Sequence, residues 1–151
     1  MKQVPVNIKN KRASFDYELL QRYTAGIRLT GTEIKAIRAA KAHINEAFCQ
    51  LRKDELYVVN MHIAEYTFGT HYNHLPNQPR KLLLKKSELK QITRKITEKG
   101  LTVIPIRLFL SERGFAKLEI AVAKGKKSFD KRDSIKQKDT SRELNRLKNR
   151  W

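Results

Sequence analysis

The sequence predicts a mainly β fold: a small antiparallel barrel, closed or nearly closed, packed with two to three helices and followed by a basic C-terminal tail. Three observations carry that prediction. Several short runs alternate apolar and polar residues, the period of a half-buried strand. Neighbouring runs are joined by short polar turns, Arg52-Lys53-Asp54 and Ser111-Glu112-Arg113-Gly114, which is how hairpins are connected. Two further stretches space their apolar residues three and four apart and carry helix caps. Local hairpins with a few amphipathic helices leave a barrel as the simplest way to bury one sheet face.

Taken in order, residues 1–13 are polar and basic with Pro5 and read as an irregular arm. The stretch 15–29 has β-formers at both ends but a loose period, giving a strand near 15–19, an irregular middle, and a strand or turn at Gly26–Leu29. The segment "TGTEIKAIRAAKAHI" is a helix. Thr30 and Glu33 have capping-box spacing, and Ile34, Ile37, Lys41 and Ile44 follow one face, with the aliphatic stem of Lys41 lying along it. "AFCQL" and "ELYVVN" form a hairpin, with Ala47, Cys49 and Leu51 on one face and Tyr57, Val59 and Met61 on one face of the partner. "MHIAEYT" extends the second strand or starts a third, and the Pro- and Asn-rich stretch up to Lys81 is a loop. A second helix follows, with Ser87 as N-cap, a stripe of Leu89, Ile92 and Ile96, and Gly100 as its stop. "LTVIPIRLFL" and "FAKLEIAVA" close the domain as a long hairpin, with Ala116, Leu118, Ile120 and Val122 inward and Pro105 suited to an edge or a bulge. Alternation stops near Lys124, which divides a barrel over 1–123 from a tail over 124–151.

Charge narrows the function. The 151 residues carry a formal net charge of +18, a self-repulsion most simply explained by a polyanionic partner: RNA, DNA or an anionic membrane. Residues 124–151 hold 11 basic and 4 acidic side chains, and residues 1–123 hold 22 and 11. The barrel is therefore basic in its own right, so a binding face is expected as well as a binding tail. In the tail, Lys138, Arg142, Arg146 and Arg150 recur every fourth residue, with Leu144, Leu147 and Trp151 roughly opposite. The segment is too short and charged for a stable isolated helix; it either folds on a phosphate-lined surface or is a frayed terminus with chance spacing.

Cys49 is the sole cysteine, so no intrachain disulfide forms and a reducing, cytoplasmic setting is expected. No apolar run approaches a membrane span, and the N-terminus lacks the apolar block of a signal peptide. Gly125-Lys126 is followed by Lys127, and Ile120 stands where a phosphate loop needs its first glycine, so that reading fails. His62, His71 and His74, with His43 distant on the predicted helix, meet no metal-ligand spacing, and surface histidines are the default. Cys49 sits mid-strand among apolar neighbours as an inert thiol. Asp16 and Glu18 resemble paired carboxylates, but ion pairing with Arg12 or Arg28 is the plainer reading. Neither a catalytic constellation nor a cofactor motif emerges, and the expectation is a non-enzyme that binds nucleic acid through basic side chains and a few stacking aromatics. Phe15, Tyr17, Tyr23, Tyr66, Phe68 and Tyr72 are the available aromatics, with about two expected at an RNA surface.

Read together, "NKRA" (10–13), "DYE" (16–18), "AGIRLTGTEIKAIR" (25–38), "KAHIN" (41–45), "RKLLL" (80–84) and "AKGKKSFDKR" (123–132) resemble the SsrA-binding proteins, also called SmpB, the bacterial partners of transfer-messenger RNA. The resemblance spans nearly the whole chain, and "GTEIKAIR" with the "GKK…DKR" pair is its most specific part.

It implies an oligonucleotide-binding (OB-fold-like) barrel that grips the transfer-RNA-like domain of transfer-messenger RNA and stabilises it. It further implies indirect help to alanyl-tRNA synthetase and delivery of the RNA to stalled ribosomes for trans-translation. In the body, the matched stretches direct RNA to Asn10, Lys11 and Arg12, to Gly26, to Glu33, Lys35, Arg38 and Lys41, and to Arg80, Lys81, Leu83 and Lys85. Asn10 either bonds RNA or closes a turn, and Glu33 either meets RNA or only caps its helix. In the tail, Lys124, Gly125, Lys126, Lys127, Phe129, Asp130, Lys131 and Arg132 match the stretch placed at the decoding site of small-subunit ribosomal RNA. Lys138, Arg142, Arg146 and Leu147 follow in the distal segment assigned to the messenger channel. Three positions depart from the family's usual pattern: Thr24 in place of Glu, Lys85 in place of Asn or His, and Phe129 in place of His or Tyr. A monomer with no membrane partner is expected; the rivals are a general single-stranded nucleic-acid binder on the same barrel and a membrane-surface protein acting through the tail.

Overall fold

The computed structural model describes residues 6–67 and 73–125. Nine strands and three helices run in the order β1 (Asn7–Lys9), α1 (Ala13–Asp16), β2 (Tyr17–Ile27), α2 (Gly31–Arg38), β3 (Ala42–His43), β4 (Phe48–Arg52), β5 (Glu55–Val59), β6 (His62–Ile63), β7 (Arg80–Leu83), α3 (Lys86–Lys99), β8 (Thr102–Leu110) and β9 (Ala116–Gly125). All pairings are antiparallel. Six strands follow one another as β8-β4-β5-β7-β2-β9, and β9 returns to pair with β8. The joins are uneven. β2 and β9 pair from Tyr17↔Gly125 to Gly26↔Lys117, whereas β4 meets β8 only at Cys49↔Val103 and β2 meets β7 at Gly26↔Leu83 and Ile27↔Leu82. The result is a ring of strands rather than a barrel hydrogen-bonded all the way round, in keeping with the expected mainly β architecture.

The core fills the ring. Ile37 from α2, Ile92 from α3, Val58, Val103, Leu108, Leu118 and Ile120 are fully buried in one cluster; truncating any of them to Ala would cost roughly 2–5 kcal/mol. A second, smaller cluster of Ala13, Ile104 and Ala123 lies apart, with Tyr17 and Leu19 against it. The single turn of α1 contributes Ala13 there, which explains why Ala123 is buried although the strict alternation of β9 sends Leu118, Ile120 and Val122 to the other face.

Several local expectations are corrected. Phe15 and Asp16, expected in a strand, belong to α1, and from Tyr17 the strand is not interrupted: β2 is continuous to Ile27, with a register shift between Leu19 and Gln21. That bulge flips the alternation, placing Leu19 with the small cluster and Tyr23, Ala25 and Ile27 in the main core. The segment read as an irregular arm holds β1 and, at Ala13, the start of α1.

Helix α2 ends at Arg38, so Lys41 and Ile44 leave its face. Ala40 adopts φ 57 and the Lys41 amide reaches back to the Ala36 carbonyl (3.0 Å), a left-handed helix end made without the glycine that normally signals it. On β5 it is Leu56 and Val58 that point inward, opposite Leu51 and Cys49, while Tyr57 and Val59 are half-buried. Met61 regains the core because Asn60, at φ 61, interrupts the alternation. "MHIAEYT" contributes β6, which pairs with β3 in a separate two-stranded sheet. The N-cap of α3 is Lys85 and not Ser87, because the Glu88 carboxylate accepts a hydrogen bond from the Lys85 amide (3.2 Å) and closes the first turn two residues earlier.

Other expectations hold. Thr30 and Glu33 form the capping box of α2, Gly100 ends α3 at φ 62, and the β4–β5 hairpin turns through Lys53 and Asp54, both at positive φ. Pro105 sits beside a register shift in β8, where its missing N–H costs the ladder nothing.

Candidate nucleic-acid interface

Three grooves of the described surface differ in charge. One, of about 370 Å³, is lined by Gly26, Ile27, Leu29, Ile34, Arg38, Leu83 and the segment Arg113–Lys117. It holds three cations, Arg38, Arg113 and Lys117, and no carboxylate. A second, of about 480 Å³, along α3 mixes Lys86, Lys90 and Arg94 with Asp54 and Glu98. The third, of about 230 Å³, near α1 mixes Arg12 with Asp16 and Glu46. A polyanion is favoured most in the first, where no acidic group opposes it.

That groove brings together Gly26, Leu83 and Arg38, which lie on three different elements. Gly26 and Leu83 are register partners on β2 and β7, and a Cβ on Gly26 would stand only 3.3 Å from the Leu83 Cβ. The missing side chain lets Leu83, 51% exposed, form an apolar wall. Arg38 comes from the last turn of α2, and a Cβ added to Gly114, which turns at φ 83, would stand 3.7 Å from its guanidinium. Arg113, Phe115 and Lys117 were not singled out from sequence. The available signal is an aromatic directly after the turn glycine in "SERGF", on the outward face of the strand that turns Ala116 and Leu118 inward.

The remaining body positions divide. Glu33 and Arg80 are 1% and 2% exposed, so their assignment as RNA-facing groups is corrected. Arg80 Nε donates to Glu33 Oε2, and its other nitrogens donate to the carbonyls of Met61 (2.7 Å), Leu75 (3.3 Å) and Pro76 (3.0 Å). Arg80 thereby ties α2 to the loop before β7. Burial raises the pKa of Glu33, but the Thr30 backbone amide and Arg80 together lower it more, and the carboxyl lies below its ordinary value. Lys81 is half-buried and donates to Glu55 (2.9 Å), a hydrogen bond that lowers the Glu55 carboxyl. Asn10 closes a turn: its Nδ2 donates to Pro105 O (3.0 Å), and its Oδ1 accepts from the Arg12 amide (3.3 Å). Arg12 pairs with Asp16 at 3.6 Å. Lys35 lies 5.4 Å from the centre of the Tyr66 ring, while Lys11, Lys41 and Lys85 are exposed.

Other polar groups hold structure. Thr32 Oγ1 and the Ile63 carbonyl share hydrogen bonds, each 2.9 Å, with the buried His74, and the rings of His43 and His62 stack at 4.6 Å. Burial pushes the Cys49 thiol far up, as an inert core cysteine requires. Glu119 bridges Arg107 (2.7 Å) and Arg22 (3.2 Å), with the Arg107 hydrogen bond lowering its carboxyl most. Among the described residues no helix is long and apolar enough to cross a membrane.

Strand register sets the site's relation to the tail. Lys117 pairs with Gly26 beside the groove, and Gly125 pairs with Tyr17 at the other end of the same two strands. At about 3.3 Å per residue, Gly125 leaves the body roughly 26 Å from the groove. Asn10, Lys11 and Arg12 flank that far end, since Arg12 shares its groove with Tyr17. Lys124 and Gly125 are exposed at the end of β9. The tail positions Lys126, Lys127, Phe129, Asp130, Lys131, Arg132, Lys138, Arg142, Arg146 and Leu147 lie outside the described residues, as do Phe68, His71 and Tyr72.

Comparison with known proteins shows the family. The SsrA-binding protein of Flavobacterium psychrophilum is 59% identical over 143 residues, covering 95% of each chain. That of Bacteroides thetaiotaomicron is 58% identical over 147 residues, covering 97% of this chain and 98% of its own. A solved chain described as "tmRNA-SmpB: a journey to the center of the bacterial ribosome" shares 41% identity at a TM-score of 0.69, covering 86% of this chain and 94% of that one. The family described as SmpB protein matches residues 7–150, and the chain belongs to it.

Proposed function

We propose that this protein binds transfer-messenger RNA and carries it to stalled ribosomes in trans-translation, acting as a cytoplasmic, non-enzymatic adaptor. The observation that carries the reading is the acid-free basic groove built on Gly26, Leu83 and Arg38, in a chain of the SmpB family. Cations there neutralise phosphates and release counterions, while the apolar wall of Leu83 suits a sugar or a base edge.

In this reading the body grips the transfer-RNA-like domain at the groove end and supports its alanylation by the synthetase. The tail, from Lys126 onward, enters the decoding site and messenger channel, with Lys126, Lys127, Lys131 and Arg132 on ribosomal phosphates and Phe129 stacking on a base. Support for this division of labour comes from the register, which sends the chain out of β9 at the end remote from the groove. One molecule can then hold two RNAs without the sites competing for space.

The test is recovery of the tagged chain from growing cells, followed by sequencing of its bound RNA. One structured species, transfer-messenger RNA, should dominate. A broad spread of unstructured fragments would favour a general single-stranded nucleic-acid binder instead.

A further inference from the structure

We propose that Phe115 is a stacking platform for one unpaired nucleobase of the RNA held in the Gly26–Leu83 groove, with Arg113 and Lys117 holding the flanking phosphates. The inference rests on the RNA-binding reading above and names the form of RNA that the groove takes.

Phe115 is 64% exposed, an aromatic ring left in water beside a groove that is otherwise basic and partly apolar. Its position is held by the backbone. The Ser111 amide donates to Phe115 O (2.8 Å), the Gly114 amide to Ser111 O (2.9 Å), and the Phe115 amide to Ser111 Oγ (3.2 Å). A ring carried on so constrained a turn loses little conformational freedom when a partner covers it. Leu83, also half exposed, lines the same groove.

An exposed Phe and Leu together would also suit a protein partner. The lining decides between them: Arg38, Arg113 and Lys117 with no carboxylate favour a polyanion. Within RNA, a paired base hides both faces in the helix, so a ring finds a stacking partner only where a base stands out of the duplex. A space of about 370 Å³ is of small-ligand size and cannot receive a duplex. The groove therefore reads a loop or bulge nucleotide.

The experiment measures binding of the transcribed transfer-RNA-like domain to the full-length protein by fluorescence anisotropy at two salt concentrations. Wild type, Phe115→Leu, Phe115→Trp and Arg113→Gln are compared, each with a thermal melt. Phe115→Leu should weaken binding roughly tenfold or more with an unchanged salt slope, because apolar bulk and charge are kept while the π-face is lost. Phe115→Trp should bind at least as well as wild type, and Arg113→Gln should flatten the salt slope by somewhat less than one unit. Melting temperatures should match, since the ring is exposed. Wild-type affinity in Phe115→Leu, or equal loss in Phe115→Trp, overturns the stacking role while leaving the RNA-binding reading intact. A wild-type chain that does not hold this RNA overturns both.

Discussion

Arg80 and Glu33 form a buried ion pair that joins β7 to α2, and every polar atom of the two side chains has a partner. Removing one partner leaves the other charge stranded, so Glu33→Gln and Arg80→Met should each lower stability by roughly 3–5 kcal/mol. The double variant should not recover fully. Met at position 80 leaves the carbonyls of Met61, Leu75 and Pro76 without their donor, and buried orphans cost about 1–3 kcal/mol each. Denaturant titrations of the three variants measure this.

The same pair sets an acid dependence. The Glu33 carboxyl lies below its ordinary value of 4.5 in the folded chain. A depressed carboxylate adds stability that is fully present above the unfolded value and is lost as pH falls through the folded one. Glu33→Gln should therefore be less stable at neutral pH, yet show a shallower loss as pH falls below the ordinary carboxylate value. A variant whose acid limb parallels the wild type would remove Glu33 from that role.

Gly26 has no need of a left-handed backbone; its constraint is the approach of Leu83. A methyl group there meets the Leu83 Cβ at 3.3 Å, so the neighbour must shift by a few tenths of an ångström. Lower unfolded-state entropy in the alanine variant offsets part of that strain, and Gly26→Ala should change stability by less than about 1 kcal/mol. Its cost should shrink further in a Leu83→Gly background, where the Cβ it meets is gone, a coupling that a double-mutant cycle reads directly. RNA affinity of Gly26→Ala should fall more than its stability does, because the added methyl raises the groove floor.

Legibility in the sequence followed sequence distance. The Thr30–Glu33 capping box needs a spacing of three residues, and it was read correctly. The second oxygen of Glu33 bonds Arg80, 47 residues away, and nothing in "RKLLL" marks that arginine as buried rather than as a surface cation. The bulge at Leu20 hid the alternation of β2, since one extra residue reverses the inward face halfway along. Ala40 hid the end of α2 because any residue but glycine or asparagine is a poor signal for a left-handed cap. Family resemblance points to Gly26 and Leu83, whereas Phe115 and Arg113 join them only because folding carries the β8–β9 turn to the Gly26 end of β2.

Salt dependence separates the grooves. Neutralising Arg38 or Lys117 should flatten the fall of log affinity with log salt by somewhat less than one unit each. Lys90, whose groove also contains Asp54 and Glu98, should leave the slope unchanged when neutralised. Equal effects from Lys90 and Arg38 would mean that RNA is held by general surface charge rather than by the Gly26–Leu83 groove.

The register of β9 fixes where the tail can be cut. Alternation alone ends the strand at Ala123, but Lys124 pairs with Glu18 and Gly125 with Tyr17. A chain ending at Gly125 should therefore keep the melting temperature of the full-length protein, while one ending at Ala123 melts earlier because those two pairs are lost. Both should still bind the transfer-RNA-like domain, since the groove lies at the far end of the same strands. Neither should support peptide tagging on stalled ribosomes in a reconstituted translation assay. Normal tagging by the chain ending at Gly125 would show that the body alone completes the task, and the assignment of ribosome reading to the tail would fall.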